Sequence, residues 1–382
     1  MKKKRVLFFV EKLYGGGVEK IARIILRNFD YERYDVTLYT LCQDNISNYE
    51  FSGNIKYKFI FHSVDGNTNI RNILLKCGNK LKLSVYYHLS PKLFSRIFVG
   101  GKYDVGIAFI EGYATRIISG MSIKNKVAWV HTDMIRNRWT GVAYRHPKEE
   151  IECYSKYHKI ACVSTKVDEI ISRLLPDNIC HSVIHNPIDV DEIIRKSMDK
   201  YVDYYRYRDS IHIMSLGSLI PVKAYDRLID VIRRLNDEGI NCELLILGEG
   251  KMRKSLEEKI VRSGLHDKVH LPGFVSNPYP YLKAADIYVC SSVAEGFNTS
   301  ITEGIILGKP IVSTDCAGVS EQLGENNEYG IRTENSSDGI FEGLLRMCDP
   351  QVRESYSERA LQSAGRFNLK CCMRQFYAFI DS

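Results

Sequence analysis

Short apolar runs recur along this chain, and between them lie longer segments whose apolar residues repeat every three to four positions. The runs predict strands at Val6–Val10, Asp35–Leu41, Val105–Phe109, Val127–Val130 and Ile160–Val163, with a helix over about Val18–Asn28 after the first. The pattern breaks near His185-Asn186-Pro187-Ile188-Asp189, where the proline sets an extended turn. It restarts with strands at Ile211–Leu216, Glu243–Leu247, Lys268–Leu271, Asp286–Cys290 and Pro310–Thr314, separated by helices that include Ala224–Asp237 and Lys251–Ser263. Buried strands alternating with amphipathic helices predict an α/β protein of two doubly wound parallel sheets. The division is an N-terminal domain over 1–187, a C-terminal domain over 188–367 and a final helix over 368–382. That helix carries an apolar stripe of Leu369, Met373, Phe376, Tyr377 and Ile380.

Size and composition agree. A chain of 382 residues exceeds what one hydrophobic core usually serves. No apolar run approaches the roughly 20 residues that cross a bilayer. The basic start Met1–Arg5 leads into an apolar stretch that Glu11 and Lys12 cut short, which reads as a buried strand rather than a secretion signal. Eleven cysteines without a C-x-x-C pair suggest reduced thiols and a cytoplasmic location. The net charge of +7 comes without a nucleic-acid-reading motif. It concentrates between Gly66 and Tyr103, where Arg71, Lys76, Lys80, Lys82, Lys92, Arg96 and Lys102 meet no acidic residue and alternate with leucines and isoleucines. Basic and apolar together fit an anionic membrane surface as a peripheral partner; a solvated helical face fits as well.

Candidate chemistry sits after the strands, where doubly wound sheets bind ligands. Gly15-Gly16-Gly17 follows the first strand and opens a helix, so its amides can approach an anion. After the strand ending at Cys290, Glu295 and Glu303 are separated by seven residues, one in a glycine-containing loop and one in the following helix. This places the amides of Phe297 to Ser300 at a helix start suited to phosphate, with a carboxylate at either end for hydroxyl groups. The one D-x-D, Asp189 to Asp191, lies in the connector and reads as a helix start, not a metal site. Tyr201, Tyr204, Tyr205 and Tyr207 read as connector packing.

These residues resemble the retaining glycosyltransferases of family 4, of the kind found in capsule, O-antigen and exopolysaccharide synthesis. The likeness rests on Glu295…Glu303 with Gly304, Gly308-Lys309-Pro310 and Gly318, on Gly16-Gly17-Val18-Glu19, on Trp129-Val130-His131-Thr132-Asp133, and on Asn186-Pro187-Ile188-Asp189. Leu216-Gly217-Ser218-Leu219 with Lys223, Leu247-Gly248-Glu249-Gly250 and Leu271-Pro272-Gly273-Phe274 extend it. The resemblance implies the GT-B fold, two such domains facing a cleft. It implies transfer of a sugar from a nucleotide diphosphate donor, UDP-sugar favoured, to a lipid-linked or polysaccharide acceptor, with no metal cofactor. Glu303 would hold the ribose and Glu295 the transferred sugar. The loop Gly296, Phe297, Asn298 and Thr299 would take the distal phosphate, and Lys223 the pyrophosphate charge. Gly273 and Phe274 would border the base, Gly16 and Gly17 would close over the diphosphate, and His131 would lie by the sugar or acceptor. Such enzymes usually carry Arg where Ser218 stands and Gly where Ala224 stands. Loss of that Arg removes a bidentate phosphate clamp. It leaves open an inactive binding relative; a GT-B sugar epimerase is the other alternative.

Overall fold

A computed structural model describes residues 2–44, 51, 55–64 and 70–382. Residues Gly66–Asn69 of the acid-poor stretch lie outside the described residues. The chain divides into two compact units, one of residues 1–187 with 370–382 and one of residues 188–369.

The first unit holds seven strands: β1 Lys4–Val10, β2 Tyr34–Cys42, β3 Lys56–Phe61, β4 Val105–Ala108, β5 Asn125–Val130, β6 Lys159–Cys162 and β7 Cys180–Val183. Their order is β3-β2-β1-β4-β5-β6-β7, with every pairing parallel. The second unit holds β8 Ile211–Leu216, β9 Cys242–Leu247, β10 Val269–Gly273, β11 Ile287–Cys290, β12 Ile311–Thr314 and β13 Ile331–Thr333, in the order β10-β9-β8-β11-β12-β13, again all parallel. In each sheet the winding reverses beside the first strand, between β1 and β4 and between β8 and β11. A doubly wound sheet opens its ligand crevice at that reversal.

The central strands read as unbroken apolar runs because helices cover both faces, and β9 is buried at all six residues. Three strands escape the sequence pattern. β3 is buried only at its last two residues, β7 at none, and β13 has three residues, too few for a periodic signal.

The Leu369–Asp381 helix belongs to the first unit beyond its first residue. Phe376 meets Phe29 edge-on at 5.7 Å and Trp129 at 5.4 Å. The Tyr377 ring stacks on Tyr34, its hydroxyl accepts from the Asp30 amide at 2.6 Å and donates to the Asn28 carbonyl at 2.8 Å, and Asp381 pairs with Lys4 at 2.8 Å.

Asp189 caps the Val190–Lys196 helix by accepting from the Glu192 amide, the helix-start role that the D-x-D spacing suggested. In the connector, Tyr204 stacks on Tyr281 and Tyr205 on His212, while Tyr201 and Tyr207 stay partly exposed.

Candidate functional site

The densest cluster of sequence-singled residues forms in the second unit, at the carboxyl ends of β8 and β11. After β8 the chain makes a short turn over Pro221–Lys223 and enters the Tyr225–Asp237 helix through Ala224. Ala224 has φ 49° and ψ 43°, the left-handed region that glycine enters freely and that a Cβ makes costly. That turn delivers the Lys223 ammonium to the Glu295 carboxylate at 2.6 Å. Burial pulls the Lys223 pKa down, but the Glu295 charge outweighs it and holds the ammonium firmly protonated.

Glu295 gathers two further donors on the same oxygen: the Ser292 hydroxyl at 2.6 Å and the Asn298 side-chain amide at 3.3 Å. Asn298 also caps the Thr299–Ile306 helix, its Oδ1 accepting from the Ser300 amide at 2.9 Å. One side chain thus couples the carboxylate to the helix start. Glu303 is buried in that helix.

The backbone is pinned from both sides. Ser291 Oγ donates to the Lys223 carbonyl, and the Val293 amide to the Val222 carbonyl. The half-buried guanidinium of Arg227 donates to the Ser291 and Ser292 carbonyls and to Asn335. Burial lowers its pKa below the ordinary value. Arg227 is a cation near the loop, but carbonyls already engage it. It is no replacement for the arginine that Ser218 displaces.

Gly318 lies at φ 79°, and a Cβ there would come within 2.8 Å of the Gly296 carbonyl and 2.9 Å of the Phe297 ring. Gly217 and Gly248 touch backbone to backbone: a Cβ on Gly248 would sit 1.9 Å from the Gly217 carbonyl oxygen. Gly248 in turn donates to the Gly273 carbonyl, so the loops after β8, β9 and β10 form one shelf. Ser218 lies half-buried on it; Phe274, beyond Gly273, is exposed.

Gly16, Gly17 and His131 lie in the first unit. Gly16 precedes the Gly17–Arg27 helix, and a Cβ on it would sit 2.3 Å from Glu19 Oε2, so only glycine leaves that carboxylate in place. His131 follows β5, its Nε2 3.0 Å from the Phe109 carbonyl. A carbonyl only accepts, so Nε2 carries the proton and Nδ1 keeps its lone pair. Nδ1 is buried with no partner among the described residues, and burial lowers the His131 pKa to about 3. The imidazole is neutral and can accept a hydrogen bond.

Sequence reading passed over Glu111, which follows β4 and accepts from the amides of His131 and Thr132. Burial pushes its pKa up to about 7 against those two amides, and burial does the same for Glu11 beside the Tyr113 amide. Both follow apolar strands as lone acids, a signal that is present but unspecific.

Residues 210–349 match the family model described as glycosyl transferases group 1. A parallel six-stranded sheet with a lysine–glutamate site at its switch point is the form this matched domain takes here. It is 27% identical over 218 residues to an uncharacterized glycosyltransferase of Methanocaldococcus jannaschii, covering 56% of this chain and 54% of the relative. It is 30% identical over 188 residues to N-acetylgalactosamine-N,N'-diacetylbacillosaminyl-diphospho-undecaprenol 4-alpha-N-acetylgalactosaminyltransferase of Campylobacter jejuni, covering 49% of each. The chain thus spans about half the length of these relatives. The fold is that of Anabaena HepE, solved in complex with UDP, at TM-score 0.71 and 15% identity over 99% of both chains. It is also that of WaaG, a glycosyltransferase involved in lipopolysaccharide biosynthesis, at TM-score 0.66 and 15% identity over 98% of this chain and 99% of that one. The architecture is GT-B.

Proposed function

We propose that this protein transfers a sugar, with retention of configuration and without a metal, from a nucleotide diphosphate donor to a lipid-linked or polysaccharide acceptor. The observation that carries this reading is the convergence of Lys223, Glu295 and Asn298 on the start of the Thr299–Ile306 helix. When the glycosidic bond breaks, negative charge grows on the departing diphosphate. Fixed donors placed where charge develops usually supply the largest share of catalysis. The Lys223 ammonium and the amides of Phe297, Asn298 and Thr299 are those donors here. Glu303 takes the ribose hydroxyls, and Glu295 faces the transferred sugar. In the first unit, Gly16 and Gly17 meet the diphosphate, and His131 Nδ1 accepts from a sugar or acceptor hydroxyl. Two relatives support the substrate class: the Campylobacter enzyme's name specifies a diphospho-undecaprenol acceptor, and HepE was solved with UDP.

The acceptor is expected at an anionic membrane surface. Helices over Ile70–His88 and Pro91–Phe98 expose Leu74, Leu81, Leu93 and Ile97 to solvent beside the exposed cations of Lys76, Lys80, Lys92 and Arg96. Among the described residues no helix is long and apolar enough to cross a membrane.

The deciding experiment is a nucleotide-release screen of purified protein over UDP-, GDP- and ADP-sugars with and without lipid-linked acceptor, repeated with EDTA. Acceptor-dependent release that survives EDTA supports the reading. No release with any donor favours an inactive binding relative, and a requirement for Mg²⁺ overturns the metal-free mechanism.

A further inference from the structure

The geometry points to Gln322 as the positioning residue that aims the Thr299 amide at the donor's distal phosphate. This inference rests on the reading that the start of the Thr299–Ile306 helix receives that phosphate.

Gln322 is fully buried in the short Val319–Leu323 helix. Its Nε2 lies 2.7 Å from the Asn298 carbonyl oxygen and 2.8 Å from Thr302 Oγ1. The carbonyl can only accept, so the amide nitrogen, not its oxygen, must face it. In a trans peptide the C=O of one residue and the N–H of the next point in opposite directions across one rigid plane. Holding the Asn298 carbonyl therefore fixes the Thr299 N–H on the opposite side, toward the helix start, where the helix dipole adds to its pull on an anion.

The clamp is itself braced. Arg366 donates to the Gln322 carbonyl at 2.8 Å from behind. Gly318 lets the Val319–Leu323 helix approach the Gly296–Phe297 backbone more closely than any Cβ would allow. In front, the Asn298 side chain divides between the Ser300 amide and Glu295. Asn298 is thus held by its carbonyl from Gln322 at 2.7 Å and from the Ile301 amide at 3.2 Å, and by its side chain from the site. Without Gln322 the side-chain bonds and the longer 3.2 Å bond from the Ile301 amide remain, but the carbonyl loses its shorter tie and the peptide plane can rock about its two flanking torsions.

A positioning role separates from a merely structural one by which part of the ligand feels the loss. Rocking the Asn298–Thr299 peptide weakens contact with the distal phosphate and leaves the base, ribose and first phosphate untouched. The test measures binding of UDP and UMP, and of GDP and GMP, by calorimetry for the wild type and Gln322→Met. Methionine keeps length and volume but donates nothing. Expected is a diphosphate affinity about tenfold lower, the loss of one aimed charge-assisted bond, with the monophosphate affinity unchanged. KM for the donor rises in step. Gln322→Glu, which sets an oxygen against the Asn298 carbonyl, should give a larger loss of the same kind. Thr302→Val removes the second acceptor and should leave the diphosphate-to-monophosphate ratio at the wild-type value. A wild-type ratio in Gln322→Met, or equal loss of both nucleotides, overturns the inference. If the wild type itself binds di- and monophosphate alike, the phosphate reading of the helix start fails, which is a separate result.

Discussion

Lys223 and Glu295 neutralise each other at 2.6 Å, so removing either strands a partly buried charge. Lys223→Ala should weaken donor binding severely, because Ser218 offers no second cation and Arg227 is spent on loop carbonyls. Ser218→Arg should tighten nucleotide binding or leave it alone. Glu303→Gln should weaken free nucleotide and donor together, whereas Glu295→Gln should lower turnover with less effect on free nucleotide, each by roughly 1.5–3 kcal/mol. Full turnover in both glutamine variants would refute the two roles. Ala224 carries a separate cost. Glycine relieves its left-handed backbone, so Ala224→Gly should raise the denaturant midpoint by about 1 kcal/mol equivalent; an unchanged midpoint would mean the surroundings already absorb the strain.

Glu111 supplies a pH test at the same scale. Its native pKa is about 7 against an ordinary 4.5, with burial the cause. Between those values the native state holds a proton that the unfolded chain has released, so stability falls as pH rises and the whole penalty is present above about pH 7. Glutamine accepts from the same two amides without a charge. Glu111→Gln should therefore gain on the wild type between pH 4 and pH 8, by about 1–3 kcal/mol, and parallel stability profiles would exclude a protonated Glu111. His131 acts in the other direction. Its native pKa of about 3 against 6.5 removes stability as pH falls below 6.5.

The elements that matter here are loops and helix starts. Strand positions were legible because helices bury both faces of β1 and β9, leaving apolar runs that no surface strand shows. The edge strands β3 and β7 and the three-residue β13 gave no such run. The Glu295-to-Glu303 spacing was legible as a loop and helix, and its residues do share one element boundary. The acid-poor helices bring the element-scale prediction. Wild-type protein should float with anionic vesicles at low salt and be released at high salt, since each cation in contact contributes about 1 kcal/mol. Changing Lys76, Lys80, Lys92 and Arg96 to Glu should abolish flotation while nucleotide binding persists. Indifference to anionic vesicles would make these helices an ordinary solvated face.

Across the whole molecule, the last helix returns the chain to its first unit. Phe376 is fully buried between Phe29 and Trp129, 347 and 247 positions away in the chain. Phe376→Ala should cost about 3–5 kcal/mol, read as a lower midpoint for the first unit, and deletion beyond Phe367 should lower stability and activity together. A truncated chain of wild-type stability would show that the helix rests on the unit without holding it.

What the amino-acid order determines by itself is local. Apolar periodicity specifies which face of each segment is buried. Glycines mark where backbone must pass close, and the Glu295–Glu303 run marks a helix start with carboxylates around it. Tertiary structure decides everything that depends on partners distant in the chain. It pairs Lys223 with Glu295, 72 residues on, and sets Gln322 against Asn298, 24 residues back. It also sets the proton affinities of Glu111 and His131. A side chain's periodicity follows from its own segment, but its desolvation and its hydrogen-bond partners come from every element packed around it, and those elements meet only when the chain folds.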